Sequence, residues 1–234
     1  MHHIVSDIPG GPPVIFQHGF VSASDTILSQ GRNVGLGFLL AQAGYDVWLP
    51  DLRGGWYSHE HLKYKTTDPK FWDFTFHEMG YYDVPAAIDK ILDVTGYKQV
   101  FFIGHSMGCT VFFVMASLRP EYDRKVRAAV MLAPVAYTPT LQELKSKSFR
   151  SFLQEAEPFY NYVIGRSVYE LFPRGYQSIS IVRALCSPSP IQNLCFDIVA
   201  LGFGENRRNL NRVCTLKFFF FIVRKIYTCA TRVL

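Results

Sequence analysis

The chain has 234 residues, 49% of them hydrophobic and 15% aromatic, enough for one domain with a sizeable buried core, which excludes a disordered chain. Its formal charge of +5 is unevenly placed: all 19 acidic residues lie at or before Glu205, and seven basic residues with no acidic one occupy the stretch from Arg207 to the end. Residues 1–206 therefore hold 17 basic against 19 acidic side chains, a net −2, which excludes a nucleic-acid surface on the body of the chain.

The opening "MHHIVSDIPGGPP" lacks the apolar core of roughly 7 to 15 residues that a secretory signal needs, so the sequence as written starts without an export signal. From residue 13 to about 135, short apolar runs alternate with longer segments of helical spacing. "PVIFQ" (13–17), "YDVWLPD" (45–51), "QVFFIG" (99–104) and "AAVMLAPV" (128–135) read as buried strands. "VGLGFLLAQAG" (34–44) and "YYDVPAAIDKILDVTG" (81–96) read as helices; in the second, Ile88, Ile91 and Leu92 share one face and Gly96 stops it. This alternation predicts an α/β fold, a mostly parallel sheet with helices on both faces.

Past Ala136 the texture changes, and no later strand matches the earlier ones in strength. We expect a core over 1–137, an inserted helical cap over 138–206, and an atypical basic, aromatic tail over 207–234. The last segment, "CTLKFFFFIVRKIYTCATRVL", reads either as sequence of different origin or as a basic, aromatic patch for a membrane surface. Its longest apolar run, "FFFFIV", is far below the roughly 20 residues that span a bilayer, so no transmembrane segment is expected. Of the five cysteines, only Cys186 and Cys195 are close enough in sequence to suggest a local staple. No Asn-x-Ser/Thr sequon accompanies them.

The chemistry concentrates in "FFIGHSMGCT" (101–110), where Ser106 stands between Gly104 and Gly108 after an apolar run. A serine at the tip of a tight strand-to-helix turn occupies a strained backbone conformation, and side chains two residues before and after it would strike the crossing backbone. Glycines at 104 and 108 remove those collisions. Ser106 is therefore the candidate nucleophile. Acyl transfer also needs donors for an oxyanion: the Met107 N–H at the helix start and the Phe20 N–H in "VIFQHGFVSAS" (14–24) are the candidates, with Gly19 allowing close approach. His18 reads as a loop-shaping histidine rather than a base, His105 as structural, and His77 as an exposed helix residue. His77 with Glu78 lacks H-E-x-x-H spacing, so no metal site is expected.

"GPPVIFQHGFVSAS", "FWDFTFHEMGYYDVPAAID", "GHSMG" and "MLAPVAY" together resemble the acid lipase family of α/β-hydrolases, which includes gastric and lysosomal acid lipases. The resemblance covers roughly residues 8–205, with Phe71, Trp72, Phe74, Glu78, Met79, Asp83 and Pro85 in family-typical order. It implies hydrolysis of fatty acyl esters, triglyceride or sterol ester, by a serine nucleophile at a lipid–water interface, beneath a mobile cap and without metal or organic cofactor. It also implies a secreted or lysosomal protein and a disulfide between Cys186 and Cys195. Two departures stand out: Met107 replaces the family's usual glutamine, and "LRGG" replaces Asn-Arg-Gly-Asn near Arg53.

In α/β-hydrolases the triad follows the order Ser, Asp or Glu, His. All seven histidines here (2, 3, 18, 59, 61, 77 and 105) precede Ser106, and Asp197 is the one plausible acid in the cap. The expectation is therefore a chain whose last strands, acid and histidine are missing. Loss of a triad member leaves roughly 10³ to 10⁴-fold catalysis over water, so these 234 residues alone should be nearly inert. The competing reading is a non-catalytic pseudo-hydrolase that binds lipid or a protein partner.

Overall fold

The computed structural model describes residues 1–6, 8–20, 22–28 and 31–137, together with 154, 158, 161, 162, 165 and 166. Most of the expected cap, the expected tail and the Cys186–Cys195 pair lie outside the described residues. The chain divides into two compact units, Met1–Glu60 with Asp73–Ala136, and His61–Trp72 with Tyr137–Leu234. In the second, the short 3₁₀ turn Pro69–Trp72 is tied back by the Trp72 indole N–H, which donates to the Thr66 carbonyl at 2.7 Å.

The first unit carries the sheet. Its strands are β1 (His2–Ile4), β2 (Pro13–Gln17), β3 (Asp46–Leu49), β4 (Val100–His105) and β5 (Val126–Leu132), in the spatial order β1-β3-β2-β4-β5. All neighbouring pairs are parallel except β1 with β3. The expected mostly parallel α/β sheet is therefore present. Parallel strands are covered by crossover helices and so read as near-continuous apolar runs. All five residues of β2 are buried for that reason, and Val14 and Phe16 pack with Val47 and Leu49 of β3 and with Ile27 in one core cluster.

Helix α1 (Leu36–Gln42) places Ala41 in that cluster. Thr75 then opens α2 (Phe76–Glu78) with a capping box: its side chain accepts from the His77 N–H, and Glu78 accepts from the Thr75 N–H at 2.7 Å. A π turn over Met79–Asp83 leads directly into α3 (Val84–Thr95), whose Ile88 and Ile91 are fully buried. Gly96 ends α3 at φ 71°, a left-handed cap that a side chain would disfavour. Helix α4 (Met107–Leu118) follows β4 without a linker beyond Ser106.

Two differences from the sequence reading have physical causes. Strand β1 is absent from the expected elements because three residues carry no periodicity. It is held by partners distant in sequence: His3 stacks on Trp48 at 3.8 Å between ring centroids, and its Nε2 lies 2.5 Å from the Asp46 carboxylate. Strand β5 begins two residues before the expected 128 and ends at Leu132, and most of it is exposed instead of buried. Among the described residues it pairs with β4 alone, and no described helix covers the faces on which its exposed side chains stand.

Candidate active site

Ser106 is the single residue between the end of β4 and the start of α4, at φ 54° and ψ −118°. A non-glycine residue in that region is strained, and it persists only where its surroundings hold it. Two backbone hydrogen bonds and two close backbone approaches do so. The Ser106 N–H donates to the Leu132 carbonyl at the end of β5, and the Ser106 carbonyl accepts from the Cys109 N–H, both at 2.9 Å. A Cβ built on Gly104 would lie 2.9 Å from the Cys109 nitrogen, and one built on Gly108 would overlap the Gln17 carbonyl oxygen. The two glycines let helix, strand and loop close around the serine.

Register explains why the loop after β2 arrives at the same place. Gln17, the last residue of β2, pairs with Gly104 of β4, so the chain leaving β2 at His18 emerges beside the turn. Gly19 is pressed against it: a Cβ there would meet both the His105 carbonyl oxygen and the Ser106 Cβ at 3.0 Å. Phe20 follows at the half-buried surface. Met107 is the first residue of α4, whose leading N–H groups have no carbonyl one turn earlier to bond. A serine hydroxyl thus sits at the carboxyl end of a parallel strand, at a helix N-terminus and against a glycine-thinned loop. That arrangement suits a nucleophile whose product carries a developing negative charge.

The neighbouring side chains narrow the chemistry further. His18 is buried, and its Nδ1 lies 2.9 Å from the Gly19 carbonyl while its Nε2 lies 3.7 Å from Asp51 Oδ1. Both ring nitrogens are thereby turned to the loop and to a carboxylate, in keeping with a loop-shaping histidine. His105 is exposed, and His77 is exposed on α2 with its ring stacked on Tyr81. Cys109 is buried; burial pushes its thiol up, which makes it a poor second nucleophile. Among the described residues no group of three or more His, Cys, Asp or Glu side chains is arranged to hold a metal ion. Nor is any helix among them long and apolar enough to cross a membrane.

Two carboxylates take structural roles that the sequence reading did not assign. Asp51, two residues past β3, has a fully buried side chain that accepts the Ser24 N–H at 3.0 Å. The only local signal is an acidic residue closing the apolar run "YDVWLPD". Asp83 anchors the loop that carries Arg53: it accepts the Arg53 backbone N–H at 3.0 Å and Nε and Nη2 of the same residue at 2.9 and 2.6 Å. The "LRGG" segment is fixed by that double contact.

Comparison with known proteins places these features in a family. The model of the alpha/beta hydrolase fold matches residues 12–212. The chain is 38% identical over 213 residues to Lipase 1 of Drosophila melanogaster, covering 91% of this chain and 45% of that protein. It is 35% identical over 203 residues to gastric triacylglycerol lipase of Bos taurus, covering 86% and 50%. To lipase member M of Mus musculus it is 33% identical over 203 residues, covering 86% and 47%. The chain spans about half the length of the curated relatives it matches.

Proposed function

The chain belongs to the alpha/beta hydrolase fold family, and from that premise we propose that it is the nucleophile-bearing part of a lipase-type serine hydrolase of fatty acyl esters. Ser106 is the nucleophile, Gly104 and Gly108 form its elbow, and the Phe20 and Met107 N–H groups form the oxyanion hole. The substrate is a lipid ester, a triglyceride or sterol ester met at a lipid–water interface. The place of action is secreted or lysosomal. Residues 1–137 are the core, 138–206 a cap closed by a Cys186–Cys195 disulfide, and 207–234 a separate tail. The observation that carries the reading is Ser106 held at φ 54° between β4 and α4, and the relatives' names, all lipases, support the substrate class.

The chemistry follows from the geometry. Ser106 Oγ attacks the ester carbonyl carbon while a base takes its proton; the carbonyl oxygen becomes an oxyanion received by the two backbone N–H groups; the alcohol leaves with a proton, and water later releases the acid. No histidine follows Ser106 in these 234 residues. Acid and base are assigned to the further strands of the family pattern, which this sequence leaves near residue 206, in the order Ser, acid, His.

The test is turnover of short-chain aryl esters and fluorophosphonate labelling, with the 234-residue chain and a longer product compared side by side. The expected result is weak turnover by the short form, and robust turnover by the long form that Ser106→Ala abolishes and His18→Ala harms less. Robust Ser106-dependent activity in the short form would mean that an earlier histidine serves as base. Labelling that survives Ser106→Ala would overturn the assignment of the nucleophile.

A further inference from the structure

The loop that would supply the Phe20 donor has a buried electrostatic support that the catalytic scheme does not use. The Asp51 side chain is 0% exposed and that of His18 3%. Asp51 Oδ1 accepts the Ser24 N–H at 3.0 Å and lies 3.7 Å from His18 Nε2. The other oxygen, Oδ2, lies 3.7 Å from Nδ1 of His2 in β1, which also makes a 2.7 Å hydrogen bond with the Ser24 hydroxyl. Both ends of the loop segment 18–24 are thus tied to one carboxylate.

The acceptors around that support govern where its protons lie. The Gly19 carbonyl can only accept, so the 2.9 Å contact requires a proton on His18 Nδ1. Nε2 then faces a fully buried carboxylate oxygen. A bare nitrogen lone pair in that position would repel the carboxylate across a low-dielectric gap, whereas a proton on Nε2 converts repulsion into attraction. The Ser24 N–H donates to that same oxygen, so a proton on Nε2 gives Asp51 Oδ1 a donor from each side. His18 donates on one side to the peptide that presses on Ser106, and on the other its Nε2 lies at ion-pair distance, 3.7 Å, from Asp51 Oδ1.

Resting on the reading of Ser106 as nucleophile, we propose that Asp51 is a positioning residue that holds a doubly protonated His18 and the Ser24 N–H, and so fixes the Gly19–Phe20 backbone against Ser106. Removing one partner of a buried pair strands the other, so the support acts as a unit. His2 is the second titratable group facing the carboxylate, and it approaches from the opposite oxygen.

Histidine ring ¹⁵N NMR on the full chain at neutral pH tests the charge state without any variant. Both His18 nitrogens are expected to carry protons, and Asp51→Asn is expected to leave only Nδ1 protonated. A wild-type His18 protonated at Nδ1 alone would overturn the proposal, and this holds even where Asp51→Asn fails to fold. The positioning arm uses an aryl boronic acid: Ser106 Oγ bonds to boron, the hydroxyl proton passes to the buffer, and the anionic tetrahedral adduct places a boronate oxygen toward the Phe20 and Met107 N–H groups. Its affinity is expected to fall about 10- to 100-fold in Asp51→Asn and in His18→Gln, the scale of an ångström-sized misplacement. Affinity unchanged in both variants would overturn the positioning role. Wild-type affinity in Ser106→Ala would instead overturn the nucleophile, and the ring spectrum would then decide the support by itself.

Discussion

Ser106 concentrates the tension between stability and reactivity in one residue. Its φ of 54° is a conformation that an L side chain adopts only under constraint, with a cost on the order of 1–3 kcal/mol. Glycine would occupy the same backbone without that cost, though it gives back part of the gain through a freer unfolded chain. Ser106→Gly is therefore expected to be more stable than Ser106→Ala by about 1 kcal/mol, read as a higher urea midpoint at an unchanged slope. The two variants lose reactivity alike but should not unfold alike. Equal midpoints would mean that the turn stores no strain. At this scale some residues are legible in the sequence and others are not. A Gly-x-Ser-x-Gly run after an apolar strand is a local pattern, and its meaning lies in its own five residues. Asp51 has no such pattern, because its carboxylate becomes special through Ser24, 27 residues away, and through a histidine on another strand's loop.

At the scale of elements, α3 and the approach to β5 are joined by a polar cluster. Tyr122, in the 3₁₀ turn Pro120–Lys125, donates its hydroxyl to Asp89 of α3 at 2.6 Å, and Lys125 donates to the other Asp89 oxygen at 2.5 Å. Burial, reinforced by the hydrogen bond to the Asp89 carboxylate, pushes the Tyr122 hydroxyl up to about 12. Burial works to raise Asp89 as well, but the hydrogen bonds from Lys125 and Tyr122 hold it below its ordinary value. The two signs act at opposite ends of the pH scale. A raised phenol contributes stability that is fully present below its unfolded value of 10.0 and is lost as pH climbs toward about 12. A depressed carboxyl contributes stability that is present above its unfolded value and is lost as pH falls. In Tyr122→Phe the decline in stability between pH 10 and 12 is expected to be shallower than in the wild type, measured as the difference between their denaturation midpoints across that range. Parallel declines would show that the Tyr122 proton is not held by the fold.

For the molecule as a whole, alternation of apolar runs and helical spacing was sufficient to read a mostly parallel sheet, because buried parallel strands announce themselves by composition. Order within the sheet and exposure of its members are set by neighbours, and no run of residues carries that information by itself. "AAVML" looks like a central strand, and among the described residues it lies at the edge of the sheet. Val130 is 52% exposed and Leu132 37%, on a strand whose outer side has no partner among the described residues. A long, exposed, apolar edge presents unpaired N–H and C=O groups as a template for a second chain, and charged side chains are the usual means of blunting it. The 234-residue chain is therefore expected to self-associate in a concentration-dependent way through β5. Val130→Lys should lower the associated fraction seen by sedimentation velocity while leaving the far-UV signal of the fold unchanged, because the side chain already faces solvent. Leu118→Lys, on an exposed position of α4 away from any edge, serves as the matched control. If both substitutions reduce association equally, added charge alone is responsible. If Val130→Lys leaves it untouched, the edge of β5 is covered in solution.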